Sequence, residues 1–199
     1  MADDDPIRFD ERTALVVVDV QNDFADPSGS LYVTGGEEVV PRVNDLVAAA
    51  RAAGAPVVYT QDWHPPSTPH FRDEGGAWPV HCVRDTWGAE LHPGLTVDGP
   101  VVRKGTGRED GYSGFHARDE VTGEERSTGL RAILEERAVE RVVVVGLARD
   151  VCVTATAIDA RGLGYAATVV LDATRPVEVT PGDDARTRAE MAAAGVDLR

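Results

Sequence analysis

Apolar residues in this chain fall into two patterns: short unbroken blocks, and longer stretches where they recur every three or four positions. The blocks are LVVV at 15–18, VVY at 57–59, VVVV at 142–145 and VVL at 169–171. A strand with one wet face alternates apolar and polar residues; a strand covered on both faces does not. The pattern predicts strands over 13–21, 55–62, 99–105, 140–148 and 165–173, with a short sixth strand in GVDLR at the C-terminus. Helical spacing fills the intervals. It predicts helices over 37–54, closed by Gly54, over 127–139 with Ser127 as N-cap, over 150–164, and over 181–194. Alternating strands and helices with doubly buried strand cores make an open parallel α/β sheet, flanked by helices on both faces as a three-layer sandwich. A closed eight-fold barrel needs about 250 residues and more repeating units.

Length and charge narrow this picture. A chain of 199 residues without internal repeat or linker suits one domain spanning 1–199. No apolar run approaches the roughly 20 residues that span a bilayer. The acidic start MADDDPIRFDE lacks the features of a signal peptide, so a cytoplasmic location is expected. A formal net charge of −14 repels phosphate backbones and anionic membranes, which argues against nucleic acid or a membrane surface as partner. Two cysteines, Cys82 and Cys152, do not make a disulfide scaffold.

In an open parallel sheet, ligands bind beyond the carboxyl ends of the strands. Asp19 lies at the first strand's exit, Asp62 and His64 at the second's, Lys104 at the third's and Cys152 a short turn after the fourth. Taken singly, each has a plain structural role: a turn aspartate, a solvated lysine, a small buried thiol. Brought to one sheet edge, they form a nucleophile with a base. A helix N-terminus and Lys104 favour the Cys152 thiolate, and Asp19 takes the proton. Backbone N–H groups of the turn LARDVC hold an oxyanion. Such a site transfers acyl groups, and with water it hydrolyses an amide or similar bond.

The loop QDWHPPSTPHFRDEGGAWPVHC at 61–82 carries three of the five histidines: His64, His70 and His81. With Asp62 they offer oxygen and imidazole ligands suited to zinc, iron or manganese more than calcium. The other reading is a polar loop with unrelated surface histidines. His92 and His116 have no partners at ligand spacing. Trp63, Phe71 and Trp78 in this loop, with Phe24 five positions after Asp19, could wall a flat substrate ring, whereas Trp87 suits core packing better. Cys82, with no helix behind it, is a packing residue.

DVQNDF at 19–24, DWH at 62–64, WPVHC at 78–82, KG at 104–105, YSGF at 112–115 and GLARDVCV at 146–153 resemble, in order, the motifs of the nicotinamidase group of isochorismatase-like cysteine hydrolases. The resemblance runs from about residue 12 to 195. It implies a six-stranded parallel sheet and hydrolysis of nicotinamide to nicotinate and ammonia through a cysteine acyl-enzyme, within NAD salvage. It implies that Asp19, Lys104 and Cys152 are catalytic and that Asp62, His64 and His81 bind a divalent metal, zinc foremost. His70 falls where some members have an additional histidine. Phe24, Trp78 and Tyr112 match the positions that hold the pyridine ring, and a cis peptide at Leu147–Ala148 would shape the oxyanion hole. The metal would align the pyridine nitrogen. Relatives acting on isochorismate or carbamoyl compounds generally lack the metal set, so its presence favours nicotinamide over another small amide or ureide. The family is often oligomeric, which leaves room for a homo-oligomer. The long charged segment 105–129 would lie near the site, where its tip could alter substrate range.

Overall fold

The computed structural model describes residues 7–119 and 121–199. Six strands form one sheet: β1 (Thr13–Val18), β2 (Val57–Asp62), β3 (Val101–Lys104), β6 (Arg141–Leu147), β7 (Ala166–Arg175) and β8 (Asp197–Leu198). Their order across the sheet is β3-β2-β1-β6-β7-β8, and every pairing is parallel. This is the expected six-stranded open sheet. The unbroken apolar runs have the expected cause. Leu15 and Val17 enter one core, against helix α2 (Val39–Ala52). Ala14, Val16 and Val18 enter the other, against α3 (Leu130–Glu136), α4 (Thr154–Gly162) and α5 (Asp183–Ala193). Each face of β1 is therefore dry, and a one-residue slip would exchange the two sets of side chains.

Gly54 ends the α2 region in a left-handed conformation (φ 73°), as a C-terminal glycine should. Gly146 has a stricter requirement. Its φ is 108°, and a Cβ there would stand 2.1 Å from the Val18 carbonyl oxygen. The β6–β7 register shifts at this point, before β6 leads into the turn that carries Cys152.

Two expectations are corrected. Ser127 caps no helix: it ends β5 (Glu125–Ser127), which pairs antiparallel with β4 (His116–Arg118). That hairpin lies inside the charged segment, where three-residue strands are too short to leave a periodic signal. The helix begins at Leu130 behind Gly129, and Thr128 Oγ1 accepts the Leu130 N–H (3.2 Å). The helix expected from Asp150 starts as a π-helical turn, Arg149–Val153, before α4. Among the described residues no helix is long and apolar enough to cross a membrane.

Candidate active site

β1 ends at Val18, and Asp19 turns the chain away with φ 48°, a left-handed conformation that aspartate tolerates better than most residues. The turn aims its carboxylate at the end of the neighbouring strand, where Thr60 Oγ1 donates to Asp19 Oδ1 (2.6 Å). Lys104, the last residue of β3, lies opposite Asp62, the last of β2. Its ammonium reaches Asp19 Oδ2 at 2.7 Å and Asp62 Oδ1 at 2.5 Å, and it also donates to the Gly111 carbonyl. Cys152 Sγ lies 3.7 Å from Lys104 Nζ. One carboxylate oxygen each of Asp19 and Asp62 and the Cys152 sulfur lie within 4.8 Å of one another. Three strand ends and one helical turn thus bring these groups to one edge, as sequence position implied.

All four side chains are buried, and this sets their protonation. Burial, with the nearby Asp62 charge, pushes the Asp19 carboxyl up to about 6 despite Lys104 and Thr60. Burial also opposes ionisation of Asp62, but Lys104 and His64 outweigh it and hold that carboxyl below the usual range. Burial would favour a neutral Lys104, yet Asp19, Asp62 and Cys152 hold the ammonium well above its ordinary range. The thiol departs from expectation. Burial drives Cys152 well above the ordinary thiol value, and the Lys104 charge offsets this only partly. Cys152 at rest is therefore a thiol beside a carboxylate of unusually high basicity, not a standing thiolate.

The histidine loop folds back against the ends of β2 and β3. His64 N–H donates to the Cys82 carbonyl (3.0 Å), and Arg72 N–H donates to the Trp78 carbonyl (2.7 Å). These bonds bring His64, His70 and His81 together, with one ring nitrogen from each within 4.8 Å of the others. His64 Nε2 is 3.7 Å from Asp62 Oδ2. Both ring nitrogens of His64 are buried without a hydrogen-bond partner, a costly arrangement unless a ligand takes one of them. His81 Nδ1 lies 2.8 Å from the Pro79 carbonyl, which can only accept; Nδ1 therefore carries the proton and Nε2 keeps its lone pair. Burial and the neighbouring imidazoles lower His70 to about 3 and His81 to about 4, so both rings are neutral at neutral pH, as imidazoles that could bind a cation must be. An orphaned imidazole, a fixed tautomer and an adjacent carboxylate fit a divalent cation with nitrogen and oxygen ligands.

A cavity opens onto both groups, with Cys152, Asp62, His70 and His81 in its lining. Phe24, Trp78, Tyr112 and Ala148 also line it, as expected. Trp78 Nε1 donates to Tyr112 Oη (2.9 Å), and the Phe24 ring is 5.4 Å from that of His81. The Leu147–Ala148 peptide is cis. The remaining aromatics serve elsewhere. Phe71 is buried with its ring 5.5 Å from His64, and Trp63 stacks under the Arg103 guanidinium at 3.8 Å. Trp87, expected in the core, is 47% exposed. Cys82 is buried in the core as anticipated.

Sequence reasoning missed several residues that build this site. Gly111 supplies the carbonyl to Lys104, and a Cβ there would stand 2.6 Å from Asp62 Oδ1. Asp150 accepts the N–H groups of Val177 (2.8 Å) and Glu178 (2.7 Å), holding Val177 as a cavity wall. Arg149 grips Asp184 through two bonds of 2.7 and 3.0 Å, fixing the Cys152 turn to α5. Leu31 completes the apolar wall. No motif marks Leu31 or Val177, whereas the polar pair in LARDVC was a usable signal.

The isochorismatase domain family matches residues 13–197. A nicotinamidase of Acinetobacter baylyi is 38% identical, over 92% of this chain and 90% of that one. The crystal structure of PnC1 from L. infantum in complex with nicotinate superposes with a TM-score of 0.88 at 36% identity, covering 97% of this chain and 95% of that chain. The pyrazinamidase of Pyrococcus horikoshii in complex with zinc gives 0.83 at 37% identity, covering 94% and 98%. A family match that runs from the first residue of β1 to the first residue of β8, with this agreement of fold, establishes that the chain belongs to the isochorismatase domain family.

Proposed function

We propose that this chain hydrolyses nicotinamide to nicotinate and ammonia through an acyl-enzyme on Cys152, within NAD salvage. The observation that carries the proposal is the convergence of Asp19, Lys104 and Cys152 beside three buried histidines, with Cys152, His70 and His81 opening into one aromatic-lined cavity. Nicotinamide has a partner for each part: a carbonyl carbon for the thiol, a flat ring for Phe24, Trp78 and Tyr112, and a ring nitrogen facing the histidines. The relatives named nicotinamidase and the neighbour holding nicotinate support the same choice.

Asp19 takes the proton from Cys152 Sγ as the sulfur attacks the carboxamide carbon. Charge that grows on sulfur is met by the Lys104 ammonium, 3.7 Å away in the resting state. The N–H groups of Val151 and Val153 are already bonded to the Ala148 carbonyl, so the amides of Ala148 and Cys152 are the candidate donors to the oxyanion. The tetrahedral intermediate collapses with cleavage of the C–N bond. Asp19 returns its proton to the leaving nitrogen, and ammonia departs. Water, deprotonated by Asp19, then adds to the thioester carbon. The C–S bond breaks, Asp19 returns its proton to the thiol, and the nicotinic acid leaves as nicotinate after giving its remaining proton to solvent.

Asp62, His64, His70 and His81 are the residues that would hold a divalent cation, with zinc best suited to this donor set. Bound there, such an ion supplies a Lewis-acid contact for the pyridine nitrogen, direct or through water, and so positions the substrate. A panel of nicotinamide, pyrazinamide, benzamide and a simple ureide, assayed for ammonia before and after chelation, tests the proposal. Release from nicotinamide that stops on chelation and returns with zinc is expected. Preference for the ureide, or rates indifferent to chelation, would replace nicotinamide by another small amide.

A further inference from the structure

The end of β2 poses an accounting problem. In a parallel sheet each residue directs its N–H and C=O to the same neighbour, and successive residues alternate between neighbours. Tyr59 and Trp63 bond toward β3: Tyr59 N–H to the Pro100 carbonyl (3.0 Å) and Trp63 N–H to the Lys104 carbonyl (2.9 Å). Thr60 faces β1, where its carbonyl accepts the Asp19 N–H (3.3 Å). Asp62 must face the same way, but β1 has left the sheet at Asp19. The main chain of residue 21 bridges instead to Leu91, and the next residue's N–H donates to the Glu90 carbonyl (2.9 Å). A peptide unit is missing from the ladder at the residue whose carboxylate the site uses.

The Gln21 side chain fills the gap. Its Oε1 accepts the Asp62 N–H (2.8 Å), and its Nε2 donates to the Asp62 carbonyl (2.8 Å). The second Nε2 proton goes to the Ala89 carbonyl (2.9 Å), and the side chain is fully buried. A primary carboxamide has the same acceptor and donor as a peptide group, so it can complete one rung.

We propose that Gln21 is a positioning residue whose carboxamide replaces a peptide unit of β1 and thereby fixes the Asp62 carboxylate between Lys104 and the histidines. This rests on the assignment of Asp62 as a metal ligand made above. Without the rung, Asp62 keeps its pairing to β3 but loses both bonds that set the tilt of its backbone. Its carboxylate would then no longer be held to the geometry of Lys104 Nζ at 2.5 Å and His64 Nε2 at 3.7 Å.

The test is a cobalt(II) titration of metal-stripped protein, followed by the d–d absorption of the bound ion. Gln21→Met keeps the bulk and removes every bond. Gln61→Met is the control, because Gln61 Nε2 donates to the same Ala89 carbonyl (2.8 Å) without touching Asp62's N–H or carbonyl. Gln21→Met should weaken cobalt binding by about tenfold or more and change the spectrum, while Gln61→Met stays within about twofold of wild type. Gln21→Glu, which can accept the Asp62 N–H but sets an oxygen against two carbonyls, should weaken binding too and stands in if Gln21→Met does not fold. Wild-type affinity in the folded Gln21 variant overturns the proposal alone, as does equal loss in Gln61→Met. A wild-type protein that takes up no cobalt overturns the metal assignment as well, which separates the two failures.

Discussion

Asp19 and Cys152 make a pair in which burial raises both groups, so at neutral pH the thiol keeps its proton while Asp19 is ionised yet more basic than an ordinary carboxylate. For Asp19 the sign follows directly. Its carboxyl titrates at about 6 and must be ionised to accept the thiol proton, so the active fraction is lost as pH falls through that value. The kcat/KM profile for nicotinamide should fall about tenfold per unit on the acid side of that point, and a flat profile down to pH 4 would remove Asp19 as the base. Lys104 plays a different part. It is buried between two carboxylates, and removing it leaves both uncompensated. Lys104→Met should abolish ammonia release and cost about 3–5 kcal/mol in denaturant unfolding. A variant of wild-type stability would contradict the geometry.

Among the elements, the loops decide what the strands can present. Gly111 stands against Asp62 with no room for a side chain, since a Cβ would lie 2.6 Å from Oδ1. Gly111→Ala should lower metal affinity about tenfold or more while leaving the unfolding midpoint close to wild type, a split that metal analysis and thermal melting read on one sample. The tip of the β4–β5 hairpin was expected to shape substrate range, but residues 121–124 are exposed and absent from the cavity lining. Replacing 121–124 by a short glycine turn should leave KM for nicotinamide within about twofold; a larger change would restore the tip to the site. These elements also show where the sequence was legible. Strands buried on both faces announced themselves as unbroken apolar runs, and polar residues at their exits marked the site edge. The hairpin, the π-helical turn and the glycine contacts left no periodic trace, because each is fixed by a tertiary neighbour. Gln21 lay inside a recognised motif, yet its partner is 41 residues away.

For the whole molecule, the parallel sheet turns separate stretches of sequence into one edge: the ends of β1, β2 and β3 and the turn after β6 bring Asp19, Asp62, Lys104 and Cys152 together. In the proposed reading the thiol chemistry rests on Asp19, Lys104 and Cys152 and the cation on Asp62 and the three histidines, so Cys152 can be replaced while every cation ligand stays in place. The most direct measurement is ammonia release from nicotinamide by zinc-loaded wild type and Cys152→Ala, with bound zinc determined on the same samples. Steady release by wild type, none by the variant, and equal zinc in both is the predicted result. Continued release by zinc-loaded Cys152→Ala would contradict the account.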